Sequence, residues 1–499
     1  MSETTTRRQY GNTFKPRTFG LGKFDRKGTM VLGGAVFAGF IGINIFQSLG
    51  VKIIVIFTLL LLGILTYARD KHGMTAMDRL TERSQHMLNR FKRRNIYKAP
   101  LTGSTPLPPP LASTYLSEHV DGYGRAFALV HYPEVSQVAV VLHCQPTGGE
   151  LYDEEVINQM VAAWGGFGAA FSDQPGVAQY TATVETGPSY GYSDARAVEG
   201  FIDPSAPELA QKITRETAAQ GTAATNATTV NVTVTFNVST KALRATKNPE
   251  SADAMIAGDV KLRLPFLIEQ LKSAGGGLVR PATKEDLPES VRLAYDPKMA
   301  ETLESARASG TVANIDWVES GPASAIAAWD HYVHDSGVSV TFRMTAAPQG
   351  TITHDSFSAL FGPHPSIHRK RVVLIRHVID SADGIDIAES AFNNARTRAE
   401  GTRATATDLT AKNIAERVRN EVTDGSPLEK FTVLITITVL DPEGLPDAVA
   451  AVEHSLARMA RIRTRIMYGS QELGFAAGLG IGFDINAHTL SATLTKAIQ

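Results

Sequence analysis

Between Lys27 and Lys52 the chain carries no charged residue, and none again between Lys52 and Arg69. The first gap holds Met30 to Leu49, twenty mostly apolar residues, and the second holds Ile53 to Ala68 with the run Leu59-Leu60-Leu61-Leu62. A helix needs about 20 apolar residues to cross a bilayer. The first stretch meets that length; the second is shorter, and the stem of Lys52 and the ring of Tyr67 can carry it to the interface. The pattern predicts a tight transmembrane hairpin over 29–68 that turns at about Gln47 to Val51. A cleaved signal peptide has an apolar core of about 7–15 residues; the first stretch is longer, and a second follows at once. The period then becomes helical. Met74, Met77, Leu80, Leu88 and Phe91 share one side, with Arg79, Arg83, Arg90 and Lys92-Arg93-Arg94 mostly elsewhere. This predicts a basic amphipathic juxtamembrane helix within 69–98, resting on an anionic leaflet.

Proline density over 99–113, with Pro106 and Pro108-Pro109-Pro110, predicts a stiff spacer before a soluble unit. Beyond Thr114, strands and helices mix. Strands are expected at Arg125 to Tyr132, Gln137 to His143, Gln179 to Thr186 and Thr229 to Ser239, the last with its valines on one face. Further strands are expected at Val338 to Thr345, Arg371 to Val378 and Phe431 to Asp441. Helices are expected at Asp153 to Phe171, Asp253 to Ser273, Ala399 to Thr423 and Leu445 to Met467. The order predicts an α+β fold in two related halves, 114–300 and 301–499.

Length alone suggests two to four domains, at roughly 100–200 residues each. An apolar fraction of 43% excludes wholesale disorder. The single cysteine, Cys144, excludes an intramolecular disulfide and any Cys-rich zinc site. The formal charge of -1 hides an asymmetry: residues 1–98 carry 17 Lys+Arg against 5 Asp+Glu, and the rest carry 32 against 45. Lys and Arg cluster in the tail 1–28 and after Arg69, with only Lys52 between the two apolar stretches, so both termini are expected in the cytoplasm. An acidic remainder repels nucleic acid, so direct contact with DNA is not expected. Gly34, Ala38 and Gly42, spaced by four, form a small-residue stripe for close helix packing, against the second helix or a like subunit in an oligomer.

Sites for chemistry are few. No G-x-x-x-x-G-K-[ST] phosphate loop is present. Gly474, Gly478, Gly480 and Gly482 do not link a strand to a helix as a dinucleotide fingerprint would. Gly187-Pro188-Ser189-Tyr190-Gly191 matches the nucleophile-elbow pattern, but the strand before it is half polar where an elbow needs a buried parallel strand. His331 and His334 beside Asp335 have the spacing of a zinc pair on a helix but no third ligand; a helix end feeding a strand explains them as well. Asp380, Asp383, Asp386 and Glu389 lack calcium-loop order. No metal and no cofactor is expected.

The runs Tyr10-Gly11, Pro16-Arg17, Gly20-Leu21-Gly22 and Gly28-Thr29 resemble the opening of the membrane hairpin in actinobacterial integral membrane proteins related to the PrgI-like proteins of conjugative, type IV-like transfer systems. Trp317 with Gly321-Pro322, Trp329 with His334-Asp335-Ser336, Arg369-Lys370-Arg371-Val372, and Tyr468-Gly469-Ser470-Gln471 leading to Phe475 continue the resemblance. Gly478-Leu479-Gly480-Ile481-Gly482 departs from it, standing where a proline-containing turn is expected. The resemblance implies a non-enzymatic, membrane-anchored structural subunit without catalytic residues. Its soluble region is similar to the amino-terminal, membrane-docking part of the conjugation ATPase without the motor, and its partners would be other subunits of the apparatus, such as a motor ATPase. Two other classes share parts of this pattern: the EccE-like subunit of a type VII protein-export system, and a membrane-tethered hydrolase.

Overall fold

The computed structural model describes residues 70, 72–100, 103–148, 152–171, 174, 176–222, 225–238, 249–311, 314–348, 352–401 and 404–488, with isolated positions between 33 and 58. Among the described residues no helix is long and apolar enough to cross a membrane. The tail 1–28 and nearly all of the hairpin expected over 29–68 lie outside them, so that hairpin finds no support in the described fold. Of its packing stripe Gly34 is described, helical and exposed; Ala38 and Gly42 lie outside.

Thr75 and Asp78 form a reciprocal capping box that opens α1 (Ala76–Phe91), satisfying backbone N–H groups that a helix start leaves unpaired. β1 (Ile96–Lys98) follows. The next segment contains β2 (Tyr115–Val120), β3 (Ala126–Tyr132), β4 (Gln137–Gln145), α2 (Glu154–Ala169), β5 (Val177–Ser189), α3 (Tyr192–Phe201) and α4 (Glu208–Thr222). It continues with β6 (Thr225–Asn237), α5 (Pro249–Leu271) and β7 (Leu278–Pro281). After α6 (Asp286–Tyr295) and α7 (Ala300–Ser309) come β8 (Ser324–Ala327), β9 (Tyr332–His334), β10 (Gly337–Ala346), α8 (Ser358–Phe361) and β11 (Arg369–Val378). The chain then runs through α9 (Ser381–Ala399), α10 (Ala406–Thr423), β12 (Glu429–Val439), α11 (Leu445–Ala451), β13 (Arg463–Ile466) and α12 (Gln471–Gly478).

The result is a mixed α/β fold on one large antiparallel sheet. Among the described residues its thirteen strands run β1-β8-β9-β10-β12-β11-β5-β6-β4-β3-β2, with β13 paired to β10 and β7 to β4. The pairing scheme repeats. β2-β3-β4-β6-β5 with β7 on β4 matches β8-β9-β10-β12-β11 with β13 on β10, and β5 and β11, the equivalent strands, pair with each other. A single rung crosses eight strands: Arg280, His143, Asn231, Thr183, Val373, Leu434, Arg343 and Arg465. It passes the same strand positions from either end, with a local dyad between Thr183 and Val373.

Strand alternation divides the core between two faces. On one face Val140, Leu142, Val232, Val234 and Tyr180 pack under α2 and α5; farther along, Val340, Phe342, Val372, Ile435 and Ile437 pack under α8 and α11. The opposite face is richer in hydroxyl groups. Thr181, Thr183, Thr233, Thr235, Ser339, Thr341, Thr436 and Thr438 are all buried there.

Three expectations are corrected. The helix foreseen to Met467 gives way to β13, because Arg461 turns the chain with a φ of 54° and Arg463–Ile466 then pairs with β10. The helix foreseen over Ala399 to Thr423 starts only at Ala406, where a capping box, Thr405 with Asp408, opens α10; α9, a separate helix that ends at Ala399, precedes it and was not foreseen. The proline-rich stretch is no free spacer. Leu107 and Leu111 are core residues, Tyr97 donates to the Pro106 carbonyl, and Gly321 N–H donates to the Thr105 carbonyl at 2.8 Å.

Candidate functional site

Two polar assemblies lock peripheral segments onto the sheet. The first holds α1. Glu82, on its polar side, accepts from Arg465 of β13 at 3.1 and 2.7 Å through both carboxylate oxygens and lies 3.8 Å from Arg343 of β10. Such a two-pronged pair is a strong, directional contact, and it raises the already high guanidinium pKa of Arg465. One turn on, His86 meets the Trp329 ring edge-on at 5.3 Å. Trp329 stacks on Tyr468 at 5.5 Å, and its carbonyl accepts the Gly469 N–H at 2.7 Å. In the first segment the rung positions matching Arg465 and Arg343 are Arg280 and His143. Both face one carboxylate there too, Asp286 of α6, at 2.6 and 3.8 Å. The chain therefore uses one slot design twice: once for its own α6, once for α1.

The second assembly is the carboxy-terminal strap, α12 followed by Leu479 to Phe483. It crosses the hydroxyl-lined face strand by strand. The Gln471 side chain bonds both the N–H and the carbonyl of Thr341 on β10, at 2.8 and 3.3 Å. A Cβ on Gly478 would sit 2.6 Å from the Thr436 hydroxyl of β12. One on Gly480 would strike Thr183 of β5, and one on Gly482 would strike Ala139 of β4 and Thr235 of β6. The bare backbone settles close enough for its carbonyls to accept hydrogen bonds. Thr233 reaches the Gly480 carbonyl at 2.5 Å, and Thr235 and Gln179 reach that of Gly482 at 3.0 and 3.2 Å. Farther on, the Tyr132 hydroxyl donates to the Ile481 carbonyl at 2.8 Å. The glycine run thus serves close approach to a sheet, with no phosphate loop geometry.

The three cations that open β11 are each held differently. Arg369 pairs with Glu185 at 2.6 Å. Lys370 donates to the Gly362 carbonyl, and burial pushes its ammonium down to about 8. Arg371, fully buried, lies over the Phe475 ring of the strap at 4.8 Å.

The residues weighed for catalysis and metal binding scatter. Ser189 ends β5 opposite Thr225, and its hydroxyl accepts the Gly191 N–H at 3.4 Å. His334 is a core residue on a strand and not at a helix end; it bonds the Tyr295 carbonyl at 2.6 Å and the Ser339 hydroxyl at 2.7 Å. Burial pulls its imidazole down to about 4. His331 faces Asp330 at 2.8 Å, and Asp335 pairs with Arg292 at 3.2 Å. Asp380 caps α9, and Asp383, Asp386 and Glu389 lie within that helix. Among the described residues no group of three or more His, Cys, Asp or Glu is placed to hold a metal ion. Cys144 is free and buried.

Of the motifs that carried the resemblance, those among the described residues turn out to be fasteners, and the runs between Tyr10 and Thr29 lie outside the described residues. Trp317 donates to Thr114 at 3.1 Å, Gly321 lies on the Pro106 backbone, Trp329 and Tyr468 hold α1, and Gln471 and Phe475 hold the strap. The sequence reading missed Glu82, Arg343 and Arg465. The available signal was an acidic residue on the polar side of a basic helix. No known protein-family model matches the chain, and no curated protein is significantly similar to it.

Proposed function

We propose that this chain is a non-enzymatic, membrane-anchored structural subunit of a conjugative, type IV-like transfer apparatus, which docks cytoplasmic components such as a motor ATPase at the inner face of the membrane. The observation that carries the reading is the fixation of α1. The helix that follows the uncharged stretches is bonded to the sheet through Glu82, Arg465, Arg343, His86 and Trp329, so a membrane anchor before it would hold the whole body at a set distance and angle. The proline stretch contributes by packing into the core. The acidic balance of residues 99–499 suits a basic protein surface better than DNA. The repeated strand scheme is consistent with two halves derived from one ancestral unit, joined through β5 and β11. In this proposal the hairpin over 29–68 spans the membrane with both termini cytoplasmic, and Gly34, Ala38 and Gly42 pack against a neighbouring helix or subunit.

The test is a pair of fusions after Gln499 together with co-purification. A cytoplasmic reporter should be active, alkaline phosphatase should be silent, and tagged protein should bring down other components of the apparatus. An active phosphatase fusion overturns the topology. Co-purification with small helical export substrates and a subtilisin-like protease, in place of a relaxase and a coupling ATPase, transfers the chain to the EccE-like class.

A further inference from the structure

The polar side of α1 is occupied by the sheet, and the opposite side is bare. At about 100° per residue, Met77, Leu80, Met87, Leu88 and Phe91 fall within one arc, diametrically across the helix from Glu82, His86 and Asn89. Leu88 is 51% exposed and Phe91 87% exposed, although an unsupported apolar arc of this kind is costly in water. Arg79, Arg83 and Arg90 line one flank of the arc, and Lys92, Arg93 and Arg94 follow the helix end; all six are exposed.

We infer that α1 is an interfacial helix that lies flat on an anionic lipid surface and fixes the tilt of the sheet against it. The occupant follows from charge and depth together. A leaflet of acidic headgroups offers anions to the arginine flank and hydrocarbon to the apolar arc at adjacent depths. A purely acidic protein surface satisfies only the first and a hydrophobic groove only the second. Sequence continuity agrees, since the uncharged stretch Ile53 to Ala68 ends eight residues before Ala76. Because Glu82 and His86 are held by β13 and by Trp329, the helix cannot roll on the surface without breaking those contacts. Lipid contact on one side therefore becomes a fixed orientation of the body on the other. The inference rests on the proposed membrane location only for where the chain resides; the contact itself stands on the geometry of α1.

The test uses the full chain in lipid nanodiscs, with an environment-sensitive fluorophore on Leu88→Cys and, as a control on the adjoining polar flank, on Gln85→Cys. Native Cys144 is buried and stays unlabelled. In discs rich in phosphatidylglycerol the probe at 88 should shift to the blue and be quenched at least about threefold more by shallow spin-labelled lipid than the probe at 85. Replacing Arg79, Arg83 and Arg90 together by Gln should abolish that difference. Equal quenching in phosphatidylcholine discs overturns the headgroup assignment. A probe at 88 that iodide reaches as freely as the probe at 85 overturns the contact. Protection that follows protein concentration and not lipid composition assigns the face to a second copy and also overturns it. Alkaline carbonate extraction is run in parallel: release of the chain with the probe at 88 still buried in anionic discs refutes the hairpin and leaves this inference standing.

Discussion

Replacing Gly480 by Ala places a methyl group where the strap meets β5. Gly480 has a φ of 72°, and the new Cβ falls on the Thr183 side chain. A left-handed backbone costs a non-glycine residue about 1–2 kcal/mol, and forcing a carbon into a filled site adds about 1–3 kcal/mol. The Gly480 carbonyl would also be pushed off the Thr233 hydroxyl it now accepts from. The expected loss is about 2–5 kcal/mol, or on the order of 2–6 °C in midpoint for a body of this size. Thermal unfolding of the full chain in detergent reads it, with unfolding rates at fixed temperature as the measure if refolding fails. Gly444→Ala is the control, since its φ is -77° and nothing lies within 4 Å of its added Cβ; it should stay within about 0.5 kcal/mol of the parent. A cycle of Gly478→Ala with Thr436→Ala isolates the steric part: the double variant should recover about 1 kcal/mol or more over the sum of the singles. A Gly480→Ala midpoint indistinguishable from the parent, with no coupling between positions 478 and 436, would show that the strap does not press on the sheet and refute the reasoning.

Other consequences can be measured as directly. Glu82→Gln leaves the Arg465 guanidinium without its carboxylate and should loosen α1 by about 1–3 kcal/mol; hydrogen exchange should quicken across Ala76–Phe91 while β12 stays protected, and unchanged exchange in α1 contradicts the clamp. His334, held near 4 when folded and near 6.5 unfolded, is neutral in the fold. Between those values the unfolded chain binds the extra proton, so stability present above pH 6.5 is lost as pH falls toward 4, by up to about 3 kcal/mol. Denaturant titrations at several pH values should show this slope reduced in His334→Gln, and identical slopes remove His334 from the account. Burial lifts the Cys144 thiol to about 11, so a thiol reagent at pH 8 should label it only after unfolding; rapid labelling of the native chain contradicts its place in the core.

The long strands and their inward faces were legible because alternation is a local signal. Val230, Val232, Val234 and Phe236 against Thr229, Asn231, Thr233 and Thr235 declare a strand with one apolar face. The same signal misleads about the other face. Alternating threonines read as a wetted surface, yet Thr233 and Thr235 are buried, satisfied by strap carbonyls that arrive from about 250 residues away. The short strands β1, β7, β8, β9 and β13, of three or four residues each, are too brief to carry a period and exist because a neighbour's edge is available. The break before β13 depended on the single left-handed residue Arg461, which composition does not reveal. The clamp on α1 joins Glu82 to residues far along the chain, a pairing that depends on register. The glycine run was visible as a departure from pattern, and its purpose needed the facing strands.

The junction of β5 with β11 also governs how the chain can be divided. Cut between residues 300 and 301, the first piece would present a thirteen-residue strand and the second a ten-residue strand, each with a bare row of N–H and C=O groups. Long, flat, uncovered edges recruit other strands, and each piece would carry the edge that the other normally covers. Separated fragments would therefore tend to polymerise or re-pair, and the first would also lose the carbonyls of Gly480 and Gly482 that quench its hydroxyls. Covalent linkage keeps each sticky edge at high effective concentration with its one proper mate, so the whole sheet folds or fails as a single piece.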